Sequence, residues 1–215
     1  MHDELLIFAL AGLACACLYW GVYCWRGPSL GKTIIKTAAI ALPALGVTLA
    51  GAPWLAVAGL WACALGDYLL SRTGEATLKA GIGAFALGHV LYVVAFLASF
   101  GWGAGPDGVT VGVVASLVLL GLSTEIWLTS RTGGLRAAAR VYVGLILTMG
   151  AVAALPSMPR ETVLVGALLF IASDLILSLD LFVLAGGWFH RLTPFLIWPL
   201  YAVAQVFIIT GFVRI

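Results

Sequence analysis

Two aspartates stand in matching frames of otherwise apolar sequence. Gly59–Ser71 reads GLWACALGDYLLS, and Gly166–Ser178 reads GALLFIASDLILS. In each copy the Asp (Asp67, Asp174) lies eight residues after the Gly and directly follows a small residue (Gly66, Ser173). Leu follows at plus three and Ser at plus four. A carboxylate in the hydrocarbon of a bilayer costs at least about 3 kcal/mol unless it is neutral, paired or facing water, so each Asp is a functional candidate. Two in one frame read as a duplicated half-site, and two carboxyls in unlike surroundings suit acid–base catalysis. The bland reading is a hydrogen bond to a neighbouring helix. Ser, Thr and Asn usually fill that role, because they cost less to bury.

A smaller set of polar residues accompanies them. His89 and Tyr92 are three apart, which puts them on one face of a helix. Lys36 either snorkels to the headgroups or binds an anion. Asp180 is six residues past Asp174, about 600° round a helix, and so faces another way. Glu125 lies close enough to a predicted interface to be solvated. Tyr142, Tyr201 and Gln205 either line a cavity or join helices, and the sequence leaves both open. The four Cys all fall in apolar stretches, and Cys15-x-Cys17 points its thiols to different sides, so neither zinc nor a disulfide is suggested. His2 and His190 belong at opposite faces from each other, which excludes a three-His zinc site. No metal or other cofactor is called for.

The elements that position these residues are membrane spans. The 215 residues are 63% hydrophobic and 9% charged, against roughly 25% charged in a soluble domain. The sparse, balanced charge excludes nucleic-acid binding. The expected fold is all-α, a polytopic transmembrane bundle forming one integral membrane domain of about eight spans. These are about Leu5–Trp25, Thr33–Ala50, Trp54–Leu70, Leu78–Phe100, Val109–Ser130, Ala137–Leu155, Thr162–Ala185 and Thr193–Val213. The acidic start, Met1-His2-Asp3-Glu4, predicts a first span and not a signal peptide. Loops after the odd-numbered spans hold Arg26, Lys32, Arg72, Lys79, Arg131, Arg136, Arg140 and Arg191. The other side holds Arg160 and Arg214, so both termini are expected outside the cytoplasm. On this frame the polar residues lie from the midplane to the cytoplasmic face, which suggests one cavity open to that leaflet. Trp20, Trp25, Trp102, Trp188 and Trp198 suit interfacial belts.

The repeat extends weakly beyond the Asp frames. Phe85-x3-His89-x6-Phe96 matches Tyr201-x3-Gln205-x6-Phe212, and Lys36 and Gly46 match Arg140 and Gly150 in spacing. A 4+4 arrangement with half-repeats of approximately 1–105 and 106–215 follows.

GDYLL…GIGAFALGHVLYVVAF, together with GALLFIASDLIL, resembles the YhhN-like lysoplasmalogenase family of eight-span membrane proteins. The Lys36 region and Tyr201-x3-Gln205 fit the same pattern, with Thr37 standing where Pro is expected. The resemblance implies hydrolysis of the vinyl ether bond of lysoplasmalogens, in a bacterial inner (plasma) membrane. A lysophospholipid is then the substrate and the bilayer a partner, and the products are a fatty aldehyde and glycerophosphoethanolamine or glycerophosphocholine. Such a bond breaks by protonation of its outer alkene carbon, followed by capture of the oxocarbenium ion by water. That asks for one carboxylic acid and one carboxylate, as glycoside hydrolysis does. Asp67 and Asp174 are the expected pair, and His89 orients water or relays protons. Lys36 contacts the phosphate, while Tyr92, Tyr201, Gln205 and Asp180 complete the substrate site. The alternative is a transporter or lipid flippase using the buried Asp pair, and a third reading is a non-catalytic scaffold. Turnover in detergent, without a gradient, separates the enzyme from both.

Overall fold

A computed structural model describes residues 2–103, 105–184 and 188–213. Within them the chain forms eight α-helices and no strands. In order these are α1 (His2–Leu18), α2 (Leu30–Leu49), α3 (Trp54–Leu70), α4 (Glu75–Phe100), α5 (Gly108–Trp127), α6 (Arg136–Ala153), α7 (Val163–Phe182) and α8 (Thr193–Thr210). Each predicted span falls on one helix, with ends displaced by a few residues. The end of the seventh, Ala185, lies outside the described residues, as do Arg214 and the side chain of His2. Seven helices are long and apolar enough to cross a membrane. The shorter one is α3, whose 17 residues span about 26 Å at 1.5 Å per residue.

Local signals set the helix ends. The Ser29 side chain accepts a hydrogen bond from the Lys32 amide at 3.1 Å to start α2, and Asp107 does the same for Thr110 at 2.9 Å to start α5. Gly51 turns the chain between α2 and α3 at φ +74°, a conformation other residues rarely adopt. After α1 the backbone continues as one π-helical turn, Tyr19–Tyr23.

Two compact units divide the chain, Met1–Ala95 with Phe212–Ile215, and Phe96–Gly211. In the first, small residues let helices approach closely, the usual packing device where lipid supplies no hydrophobic drive. A methyl added at Gly59 would sit 2.8 Å from the Tyr92 ring, and one at Gly66 would sit 2.6 Å from Phe85. Gly88 returns the contact from α4, facing Cys63 and the Gly59 carbonyl. Gly12 and Gly46 make the same allowance between α1 and α2, beneath Pro43 and Phe8.

The second unit repeats the device. Gly166 of α7 lies under Ile208 and the Ala204 carbonyl of α8, and Gly150 of α6 meets Ile171 and Leu117. Ile208 holds the place in α8 that Tyr92 holds in α4, three residues past Gln205 and His89 respectively. The glycines that open the two Asp frames therefore do the same packing job in each unit. Outside the spans, Arg160 grips Asp107 through both terminal nitrogens at 2.7 and 2.8 Å and reaches the Ala154 carbonyl. The guanidinium, helped by the Thr110 amide, holds the Asp107 carboxyl well below the usual carboxylate range.

Candidate functional site

In the first unit, Lys36 of α2 places its ammonium 3.1 Å from Asp67 of α3. Asp67 is 1% exposed and Lys36 15%. One turn away Ser71, the plus-four Ser of the frame, lies 2.9 Å from the Thr33 hydroxyl, which donates onward to the Ser29 carbonyl. Thr33 and Lys36 are three apart, and Asp67 and Ser71 four apart, so two successive turns of α2 and α3 are stitched by polar pairs. Lys36, expected to meet a phosphate, pairs with Asp67 here.

Tyr19 completes this cluster and was not singled out by the sequence reading. It is buried in the π-helical turn, with Lys36 at 6.0 Å and Lys32 at 5.9 Å from its ring centre. A cation over an aromatic face is attracted by the ring's charge distribution, so Tyr19 helps hold both ammoniums. Lys32 also donates to the carbonyls of Cys24 and Arg26. No spacing rule marks a tyrosine at a π-helical turn, although such turns gather at functional positions. His89 and Tyr92 of α4 are fully buried in this unit, with the Tyr92 ring seated on Gly59.

In the second unit Asp174 of α7 accepts a hydrogen bond from the Tyr142 hydroxyl of α6 at 2.5 Å. Both residues line a narrow open cleft with a cavity volume of about 30 Å³, whose walls come from α5, α6 and α7. Leucine, isoleucine and valine dominate these walls, with Thr124 and Ser178 as the other small polar contributors. Ser178 is the plus-four Ser of the second frame. Tyr142, left open between cavity and helix joint, serves both.

Other expected site residues stand apart from the cleft walls. Asp180, 8% exposed, meets His190 at 2.7 Å and Thr193 at 2.5 Å, tying the end of α7 to the start of α8. Tyr201 packs edge-on against Phe170 at 5.2 Å. Gln205 is buried on the same helix. Trp198 is also buried, 5.7 Å from the Tyr201 ring, and does not join the exposed Trp20, Trp25, Trp102 and Trp188. Its position in the first turns of α8 suggested an interface. Its side chain is instead 4% exposed, beside Tyr201 of the same helix.

The two frames also differ in how their basic residues are used. Lys36 goes to Asp67, but its counterpart by spacing, Arg140, goes to Glu125 of α5. Asp174 takes a phenol where Asp67 takes an ammonium.

Eight apolar helices carrying buried carboxyls define a multi-pass membrane protein. Residues 29–212 match the sequence model of the YhhN family, and the chain belongs to that family. It is 31% identical over 161 residues to a lysoplasmalogenase of Mycobacterium bovis, and equally to one of Mycobacterium tuberculosis. The match covers 74% of this chain and 60% of each relative, so the chain spans less than two-thirds of their length. No solved structure matches it.

Proposed function

We propose that the protein hydrolyses the vinyl ether bond of single-chain lysoplasmalogens, releasing a fatty aldehyde and a glycerophospho-alcohol. The observation that carries this reading is Asp174, hydrogen-bonded to Tyr142 on the wall of a mostly apolar cleft, in a chain related to lysoplasmalogenases. An apolar cleft suits the alkenyl chain, and one carboxyl at its wall suits a reaction whose difficult step is proton transfer to carbon.

Asp174 is assigned the acid. Tyr142 donates to Oδ2, and the Asp174 carboxyl carries the transferable proton. That proton goes to the outer alkene carbon, and the alkene electron pair forms the new C–H bond, leaving an oxocarbenium ion at the ether carbon. Water adds to that carbon and returns a proton to Asp174. The resulting hemiacetal then breaks its C–O bond, giving the aldehyde and the glycerol hydroxyl. General acid–base help of this kind is worth about 10²–10⁴ in rate.

Asp67 is assigned the charged carboxylate on the strength of its own surroundings, with Lys36 as its partner and Tyr19 behind. His89, Tyr92, Tyr201, Gln205 and Asp180 remain proposed contributors to water handling and substrate binding. The distribution of Lys and Arg supports an orientation with both termini on the non-cytoplasmic side, and the proposed location is a bacterial inner membrane.

The test is aldehyde release from lysoplasmenylethanolamine by the purified protein in detergent. Asp174→Asn is expected to fall by at least about 10² in kcat while keeping its helical content and melting temperature. Wild-type turnover that persists in that mutant would remove Asp174 from the chemistry.

A further inference from the structure

The rim of the second unit's cleft carries a feature that the proposed reaction leaves unused. Glu125 of α5 and Arg140 of α6 form a forked ion pair, with the Arg140 Nε 3.0 and 3.1 Å from the two carboxylate oxygens and a terminal nitrogen on Oε1 as well. Both side chains are about half exposed, at 47% and 54%. Glu125 is next in sequence to Thr124 and one turn before Leu128, and both of those line the cleft. Arg140 is one turn before Val143, which lines it too. Of the neighbouring cations, Arg136 donates to the Thr129 carbonyl and Arg131 to the Trp127 carbonyl.

An exposed pair of this kind contributes little to stability, so folding gives slight reason to keep it. A cation and an anion held side by side beside a mostly apolar cleft are, however, the charge complement of a zwitterion. We propose that Arg140 and Glu125 form the headgroup clamp of this cleft, Arg140 taking the phosphate and Glu125 the ammonium of a zwitterionic lysolipid; this rests on reading the cleft as the site of the lipid chain. Opening the pair around such a headgroup exchanges one ion pair for two without changing the net charge of the site. A phosphate monoester gains Arg140 but faces Glu125 with like charge, and a headgroup without phosphate gains neither contact. The clamp therefore selects amino-alcohol phosphodiesters. Planar guanidinium is the side chain suited to two-point phosphate contacts.

The experiment measures binding without turnover, on the purified full chain in detergent, by isothermal titration. The probes are three saturated 1-O-alkyl lipids, which have no vinyl bond to cleave: the lysophosphoethanolamine, the lysophosphatidic acid and the alkylglycerol. Wild type is expected to prefer the lysophosphoethanolamine over both others by about tenfold, the scale of one charge-assisted contact. Arg140→Gln should abolish the preference over alkylglycerol, and Glu125→Gln the preference over lysophosphatidic acid.

The exchange Glu125→Arg with Arg140→Glu restores the ion pair with its ends reversed. It should keep the wild-type melting temperature yet fail to restore the headgroup preference. Equal affinity of wild type for all three lipids would overturn the clamp, as would recovery of the preference in the exchanged pair. Equally tight binding of a diacyl phosphatidylethanolamine would assign the pair to bulk bilayer headgroups and also overturn it. Because no probe is hydrolysed, a lack of aldehyde release from a vinyl ether lipid counts against the reaction and leaves this binding result separate.

Discussion

Removing Lys36 tests the energetics of the buried pair most sharply. Its ammonium lies 3.1 Å from an Asp67 carboxylate that is 1% exposed, and is itself 15% exposed. Lys36→Met keeps the length of the side chain but leaves Asp67 buried without its cation. Breaking one side of a buried ion pair typically costs about 3–5 kcal/mol, whereas replacing both partners with apolar residues is often neutral. With about 2–4 °C of melting temperature per kcal/mol for a chain of this size, Lys36→Met should melt on the order of 10 °C lower. The double variant Lys36→Met with Asp67→Leu should recover most of that loss. The assay is thermal unfolding in detergent, followed by tryptophan fluorescence or circular dichroism, on wild type, both single variants and the double. A Lys36→Met protein that melts with wild type would refute the idea that the pair is dehydrated and mutually dependent. A double variant as unstable as the single would show that the cost is packing and not charge.

Three further outcomes follow from the same geometry. Tyr142→Phe removes the donor to Asp174 but keeps the ring; losing a hydrogen bond to a chargeable group costs about 1.5–3 kcal/mol, so kcat for aldehyde release should fall about 10- to 100-fold with little change in KM. Gly166→Ala would press a methyl to 2.8 Å from the Ile208 amide nitrogen and 2.9 Å from the Ala204 carbonyl; as neither backbone atom can swing aside, a loss of about 1–3 kcal/mol should appear in thermal melts and exceed that of Gly21→Ala, which meets nothing within 4 Å. The Asp107 carboxyl is held low by Arg160 and the Thr110 amide, so its stabilisation is complete above the unfolded value of about 3.9 and lost as pH falls toward the lower folded value; Asp107→Asn should flatten acid unfolding below about pH 4 and leave stability at neutral pH with only a small deficit.

The span pattern was open to sequence reading because a bilayer imposes it. Continuous apolar runs punctuated by Gly51-Ala52-Pro53, Pro156 and Pro159 leave few places for a helix to end. The two Asp frames were equally plain, since a carboxyl is expensive in an apolar run and a repeated one is hard to ascribe to chance. Which partner each Asp takes was beyond the same reasoning. Lys36 and Arg140 occupy like positions by spacing, yet Glu125 on α5 draws Arg140 away, and a third helix cannot be read from two. Tyr142 could be named but not placed, because its role depends on how α6 meets α7. Tyr19 was missed altogether: its place depends on a π-helical turn that no residue type announces. Trp198 misled for a related reason, since its depth along α8 suggested an interface while its side chain is buried.

The most direct test of the central claim is aldehyde release from lysoplasmenylethanolamine by purified wild type beside Asp67→Asn and Asp174→Asn, with each protein's fold checked in the same detergent. Release by wild type, lost in both folded variants, is the predicted result. A folded wild type that releases no aldehyde, or variants that release it at the wild-type rate, would contradict the account.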